Sequence, residues 1–298
     1  MKSWSAELLL GVVTIIWGAT FSFTKIGLDE TSPLFYLFLR FLLAFTILIF
    51  IFGKQFFKIS KEKFFDGLIL GLFFGGGFIL QTLGLKFTSV TKSAFITGMA
   101  VVITPFVFWL IIRKPIKFWQ KAGVFVAFIG LWLFANPDFD NINIGDLLTL
   151  LSTIFWGFYI TYMDIFTKKV KIFSETIQLV MMQFLVILPL SLLGALIFEK
   201  NSINFNFSEM LIYSLLFNGI VASIFLTIIH TAVQKYTTPV KAALIFALEP
   251  VFASLIAFII FSEILSGKEY FGALILFSGV VLSEAGEFLQ KLFKKEKA

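Results

Sequence analysis

The chain has no cysteine, which rules out disulfides and thiolate metal sites and leaves the redox compartment open. It has one histidine, His230, so a neutral-pH proton relay through imidazole has a single position to use. Charge is also scarce. Only 14% of the residues are charged, against about 25% in a soluble domain. Hydrophobic residues make up 59% and mean hydropathy is +0.97. No soluble core hides that much apolar surface, so the bilayer is the expected solvent. Catalytic signatures are missing too: there is no H-E-x-x-H, no G-x-S-x-G and no aspartate pair inside an apolar run, which argues against an intramembrane enzyme. No ATP-binding motif occurs, so direct ATP drive is excluded. A receptor or scaffold would usually add a soluble domain or a long tail, and the 298 residues hold neither.

What is present is a series of apolar runs. A spanning helix needs about 20 largely apolar residues, and such runs fall near 6–24, 33–52, 66–86, 90–112, 117–136, 146–166, 174–198, 209–233, 240–262 and 270–289. The first is too long for a cleaved signal, holds Trp17 and lacks a small-x-small site. Sorting the 24 Lys and Arg by alternate sides puts 18 on the side of both termini and five on the other, with Arg40 inside a span. That bias predicts ten crossings with both ends cytoplasmic. It also accounts for the net charge of +6 as a topology signal and not a nucleic-acid surface. Most of the 42 Phe read as lipid-facing filler.

The chain then repeats itself. "KFTSVTKSAF" from Lys86 returns as "KYTTPVKAAL" from Lys235, 149 positions on, and "GVFVAFIGLWLF" from Gly123 returns as "GALILFSGVVLS" from Gly272 at the same offset. "ELLLGVVTIIWG" from Glu7 matches "DLLTLLSTIFWG" from Asp146, 139 on. Two units are expected, 1–138 and 139–298. Each has five spans, so the second enters from the opposite face: an all-α integral membrane protein of two inverted five-helix repeats around a central cavity. Inverted repeats give many secondary transporters two faces of similar energy.

Prolines mark the fourth and ninth spans, at Pro105 and Pro250. A mid-span proline frees a carbonyl and bends the helix, tolerated where protein or a wet cavity supplies partners. These two spans are candidates for a cavity wall or gate, or for mere packing kinks. Charges at depth are the default functional hypotheses. Arg40 is open to two readings, a bidentate clamp on a substrate carboxylate or a side chain snorkelling to the headgroups. Glu249, beside Pro250, is either a substrate-amine partner and proton carrier or a neutral buried carboxyl tying helices together. Lys92 and Lys241 are repeat mates that snorkelling explains, and His230 sits near a span end where interface residues are common. Trp17 and Trp156 are repeat mates lying deeper than an interfacial belt, with Tyr159 on the face of Trp156; cavity lining is expected of all three. Gln81 and Asn218 are expected in the cavity, Gln183 as helix glue. Gly67, Gly71 and Gly75 form a close-packing face. "NPDFDN" at 136–141 is a loop of turn formers without a convincing calcium pattern.

The stretch "LEPVFASLIAFIIFSEILSGKEYFGALILFSGVVLSE" (Leu248–Glu284), with "PLFYLFLRFLLAFTILI" (Pro33–Ile49), "LQTLGLKFTSVTKSAFITGMAVVITP" (Leu80–Pro105) and the "WG" at Trp17 and Trp156, resembles the EamA family of the drug/metabolite transporter superfamily over nearly the whole chain. The resemblance implies a ten-helix basket with the fifth and tenth helices peripheral, and transport, often export, of an amino acid, metabolite or drug-like compound across the plasma (inner) membrane. No resident cofactor or metal is implied. The partners are a small solute and the lipid bilayer, with protons if Glu249 carries them. One departure stands out: "IIRKPIKFW" puts Arg113 and Lys114 where many relatives carry an acid matching Glu263, so no symmetric acidic pair is expected.

Overall fold

In the computed structural model the chain is almost wholly helical. The structure describes residues 1–135, 142–200, 203, 206–262 and 266–295; the 136–141 stretch and Glu263 lie outside the described residues. The helices are α1 (Ser3–Glu30), α2 (Pro33–Phe56), α3 (Lys61–Phe87), α4 (Val90–Gly98), α5 (Ala100–Ile112), α6 (Phe118–Ala135), α7 (Ile144–Thr167), α8 (Phe173–Phe198) and α9 (Glu209–Leu216). After α9 come a π-helical stretch (Phe217–Phe225), α10 (Leu226–Val233), α11 (Pro239–Phe246), α12 (Glu249–Phe261) and α13 (Gly267–Lys295). In hydrocarbon each backbone N–H and C=O must be satisfied within its own segment, which leaves the helix as the solution for runs this apolar. Starts are set by local chemistry. Ser60, Ser89, Asn143, Ser208 and Thr238 each accept a first-turn amide, and proline opens α2 and α11 where its missing N–H costs nothing.

Among the described residues, eight helical stretches are long and apolar enough to cross a membrane, and Phe118–Phe134 is a shorter apolar one. This makes the chain a multi-pass membrane protein. α13 is not one of the eight. The phenylalanines divide between two roles. Phe50 and Phe198 point outward at 92% and 81% exposure, while Phe41, Phe74 and Phe184 are buried in the core. Lipid-facing filler therefore describes only part of the set.

The rods run up and down, which polar contacts at their ends make visible. At one end Glu7 meets Lys241, Lys169 meets Glu62, and Gln178 Nε2 donates to the Gln55 carbonyl. At the other, Lys92 meets Asp146, Lys25 Nζ donates to the Leu85 carbonyl, and the Leu34 amide donates to Glu199. Val90 and Pro239, Ala100 and Glu249, and Phe118 and Gly267 open their helices 149 positions apart, the offset of the repeated words.

Two rods are broken. α4 gives way to α5 at Met99, and α11 to α12 at Ala247–Leu248. The second break falls beside Pro250, as its proline predicts. The first is not at Pro105, which lies inside α5. It sits at Gly98–Met99, where glycine weakens the helix and its bare backbone faces Pro250: a Cβ on Gly98 would lie 3.1 Å from the Pro250 ring. The two breaks thus pack on each other. Elsewhere the Gly67–Gly71–Gly75 face lies against Met182, Val186 and Leu190 of α8, the close packing its spacing predicts. α6 and α13 pack mainly on each other, and Gly130 and Gly272 are in backbone contact with the opposite helix.

Candidate functional site

Between α1, α2, α3, α7 and the two broken rods lies a cavity of about 680 Å³ of non-protein space, its open part included. It is set where the breaks meet, and repeat mates face it in pairs: Gly98 with Ala247, Ala100 with Glu249, Trp17 with Trp156 and Thr20 with Tyr159. The helix register therefore matches Glu249 to Ala100, not to Thr104 as a proline-anchored alignment would. The frame of the cavity is duplicated while its charges are not.

Of the residues expected in a cavity, Trp17, Arg40, Gln81, Trp156, Tyr159 and Glu249 line it. Asn218 does not. It is fully buried, and its amide donates to Thr24 Oγ1 at 3.0 Å and Tyr36 Oη at 2.7 Å. Gln183 is also behind the wall, accepting the Tyr159 hydroxyl at 2.8 Å. His230, expected near a membrane interface, is instead fully buried, ringed by three lining aromatics: Trp17, Phe246 and Tyr159, with centroids 5.1–5.8 Å away. The sequence placed it by distance along its span; helix packing turned it inward.

The wall is aromatic. Phe78 stands edge-on to Trp156 at 5.1 Å and Phe74 packs on Tyr159 at 5.4 Å. Neither phenylalanine is distinguishable from its many neighbours by sequence, although both lie on one face of α3 with Gln81. Thr97, also missed, accepts a 2.9 Å hydrogen bond from Gln81 Nε2.

Arg40 is 2% exposed and does not reach out to headgroups. Its guanidinium carbon lies 4.8 Å from the Phe78 centroid and 5.2 Å from that of Phe41, a cation–π arrangement. Its Nε donates to Ser223 Oγ at 2.9 Å. Ser223 in turn donates to the Asn218 carbonyl five residues back, at 2.8 Å, a spacing that the π-helical turn creates. Among the described residues Arg40 makes no ion pair and its two terminal amino groups have no hydrogen-bond partner. Glu249 opens α12, where a carboxylate suits the positive end of the helix dipole. Among the described residues it has no ion-pair or hydrogen-bonding side-chain partner. A guanidinium and a carboxyl group thus line the same aromatic cavity, each without an ion-pair partner among the described residues.

The EamA-like transporter family model matches this chain twice, over residues 4–136 and 143–284. The chain belongs to the EamA-like transporter family. An Archaeoglobus fulgidus protein described as an uncharacterized transporter is similar to it, 31% identical over 95% of this chain and 86% of its own. A Bacillus subtilis protein described as the uncharacterized transporter YoaV is 23% identical over 93% and 96%. A solved crystal structure shares the fold, with a TM-score of 0.75 at 16% identity over 98% of this chain and 99% of that one. For this EamA chain, family and architecture agree on a membrane transporter of multiple apolar helices.

Proposed function

We propose that this EamA chain is a secondary transporter that exports a small organic solute across the plasma membrane by alternating access. Its two units, 1–138 and 139–298, are read as inverted five-span repeats, ten crossings in all, with both termini in the cytoplasm. The 149-residue spacing of three pairs of helix starts and the 18-to-5 bias of Lys and Arg support that reading. A tag at Met1 reached by antibody from outside intact cells would refute the orientation.

The observation that carries the substrate reading is the unpaired Arg40 and Glu249 in one aromatic cavity. A buried charge without a partner is costly, and a solute bearing the complementary groups relieves both. Arg40 is read as holding a carboxylate through its planar fork. Glu249 is read as facing an amine, or as carrying a proton in exchange. The Trp17, Trp156, Tyr159 and Phe78 rings take the apolar body of the solute. That profile fits an amino acid or an amphoteric metabolite or drug-like compound. The test is flux of labelled solutes from these classes into proteoliposomes. Saturable flux of a carboxylate-bearing solute is expected, and absence of flux across a panel that includes all three classes would refute the transporter reading.

A further inference from the structure

At each end of the bundle the same small cluster recurs, built crosswise between the halves. Lys92 Nζ of α4 is 2.7 Å from Asp146 Oδ2 of α7, and Thr88 Oγ1 donates to Asp146 Oδ1 at 2.8 Å. At the other end Lys241 Nζ of α11 is 3.2 Å from Glu7 Oε1 of α1, and Thr237 Oγ1 donates to the same oxygen at 3.2 Å. Lys92 and Lys241, and Thr88 and Thr237, are repeat mates at 149 positions; Glu7 and Asp146 are mates at 139. In each cluster the lysine and threonine come from one half and the acid from the other.

Helix stability does not explain the lysines. Each is the third residue of its helix, where a cation opposes the macrodipole. Snorkelling does not explain the acids. Asp146 is 7% exposed in its side chain and Glu7 11%, and without its lysine each acid would keep only neutral hydrogen-bond donors, among them the Asn143 amide for Asp146 and the Ser3 hydroxyl for Glu7. The clusters also sit on helices that line the cavity. α4 and α11 are the first pieces of the two broken rods, carrying lining residues Thr97 and Phe246, while α1 and α7 carry Trp17 and Tyr159.

We propose that Asp146–Lys92 and Glu7–Lys241 are the two latches of the transport cycle, one closing the cavity at each end. The proposal rests on the alternating-access reading. Both ion pairs are formed in this structure. Opening towards the Glu7 end breaks Glu7–Lys241 and leaves Asp146–Lys92 intact, and the opposite opening does the reverse. Thr88 and Thr237 each add a hydrogen bond to the acid of the closed latch.

The absence of native cysteine allows a direct test. Ala100→Cys places one thiol in the cavity wall of an otherwise thiol-free chain. A membrane-impermeant maleimide is applied to each face of oriented vesicles, without solute. Lys241→Ala in this background should raise labelling from the Glu7 face and lower it from the other, changing the ratio roughly tenfold, which corresponds to about 1.4 kcal/mol. Lys92→Ala should change the ratio in the opposite direction. The double variant should return towards the parent, and the exchange Glu7→Lys with Lys241→Glu should restore it. Lys92→Gln and Lys241→Gln, which keep part of the stem's packing, serve where the Ala variants do not fold. Shifts of the same sign, or no shift in folded protein, overturn the latches. Opposite shifts in a protein that carries no solute in the flux assay would uphold the latches and refute transport, so the two readings fail separately.

Discussion

Replacing Arg40 by lysine keeps the charge and removes the fork, and the surroundings of Arg40 set the size of the effect. The guanidinium is held by one hydrogen bond to Ser223 and by stacking on Phe78 at 4.8 Å, leaving its two terminal amino groups without a hydrogen-bond partner among the described residues. A carboxylate bound there gains two parallel charge-assisted bonds, each contributing about 1.5–3 kcal/mol. Lysine on a flexible stem recovers at most one of them. The loss of about 1.5–3 kcal/mol weakens solute binding roughly 10- to 100-fold. The fold loses about 1 kcal/mol through the Ser223 bond, so Arg40→Lys should remain folded. Trp17 and Trp156 line the same cavity, so a fluorescence titration with a carboxylate solute that shows flux reads the affinity directly. Thermal unfolding in detergent checks the fold. Equal affinity in wild type, Arg40→Lys and Arg40→Ala, all folded, would refute the clamp and leave Arg40 as a structural cation.

Glu249→Gln should abolish any response of flux to an imposed pH gradient while leaving some downhill exchange, measured in proteoliposomes; wild-type flux indifferent to the gradient would return Glu249 to a helix-capping role. Gly71→Leu should lower the unfolding temperature in detergent by several degrees, because its Cβ would sit 2.6 Å from Val186 Cβ and overpacking costs about 1–3 kcal/mol. Gly11→Ala, with nothing within 4 Å of the new methyl, should be neutral or stabilising by roughly 0.5–1 kcal/mol; equal losses in the two variants would contradict the packing argument.

The sequence was most legible where the signal was local or duplicated. Apolar length located the helices, and the repeated "KFTSVTK" and "KYTTPVK" located two equivalent helix starts. What those starts grip was not legible: Glu7 and Lys241 are 234 positions apart, and their meeting depends on how one half faces the other. The aromatic pair Trp17 and Trp156 reached the cavity as depth and symmetry predicted. Asn218, expected there as an inner polar residue, did not, because its amide is taken up by Thr24 and Tyr36, partners in distant helices that the sequence does not indicate. The break in the fourth rod was misplaced at Pro105 for a related reason. A proline is visible in sequence, whereas the weakness at Gly98 matters only because Pro250, distant in the chain, packs on it.

The π-helical stretch also marks a difference between the two halves. The capping serines Ser60 and Ser208, which open α3 and α9, lie 148 positions apart, yet Phe87 and Tyr236 at the far ends of the corresponding rods lie 149 apart. The second rod holds one residue more than the first, and the widened turn at Phe217–Phe225 absorbs it without a loop or a change of span length. One residue of α-helix is a rotation of about 100°, which the widened turn takes up, so the helix on either side of it keeps its facing. Ser223 and the Asn218 carbonyl, the pair that holds Arg40, lie inside the dislocated turn, and the first half has no equivalent of it. The two similar halves therefore differ at the hydrogen bond that holds Arg40, and the interior they enclose is not symmetric.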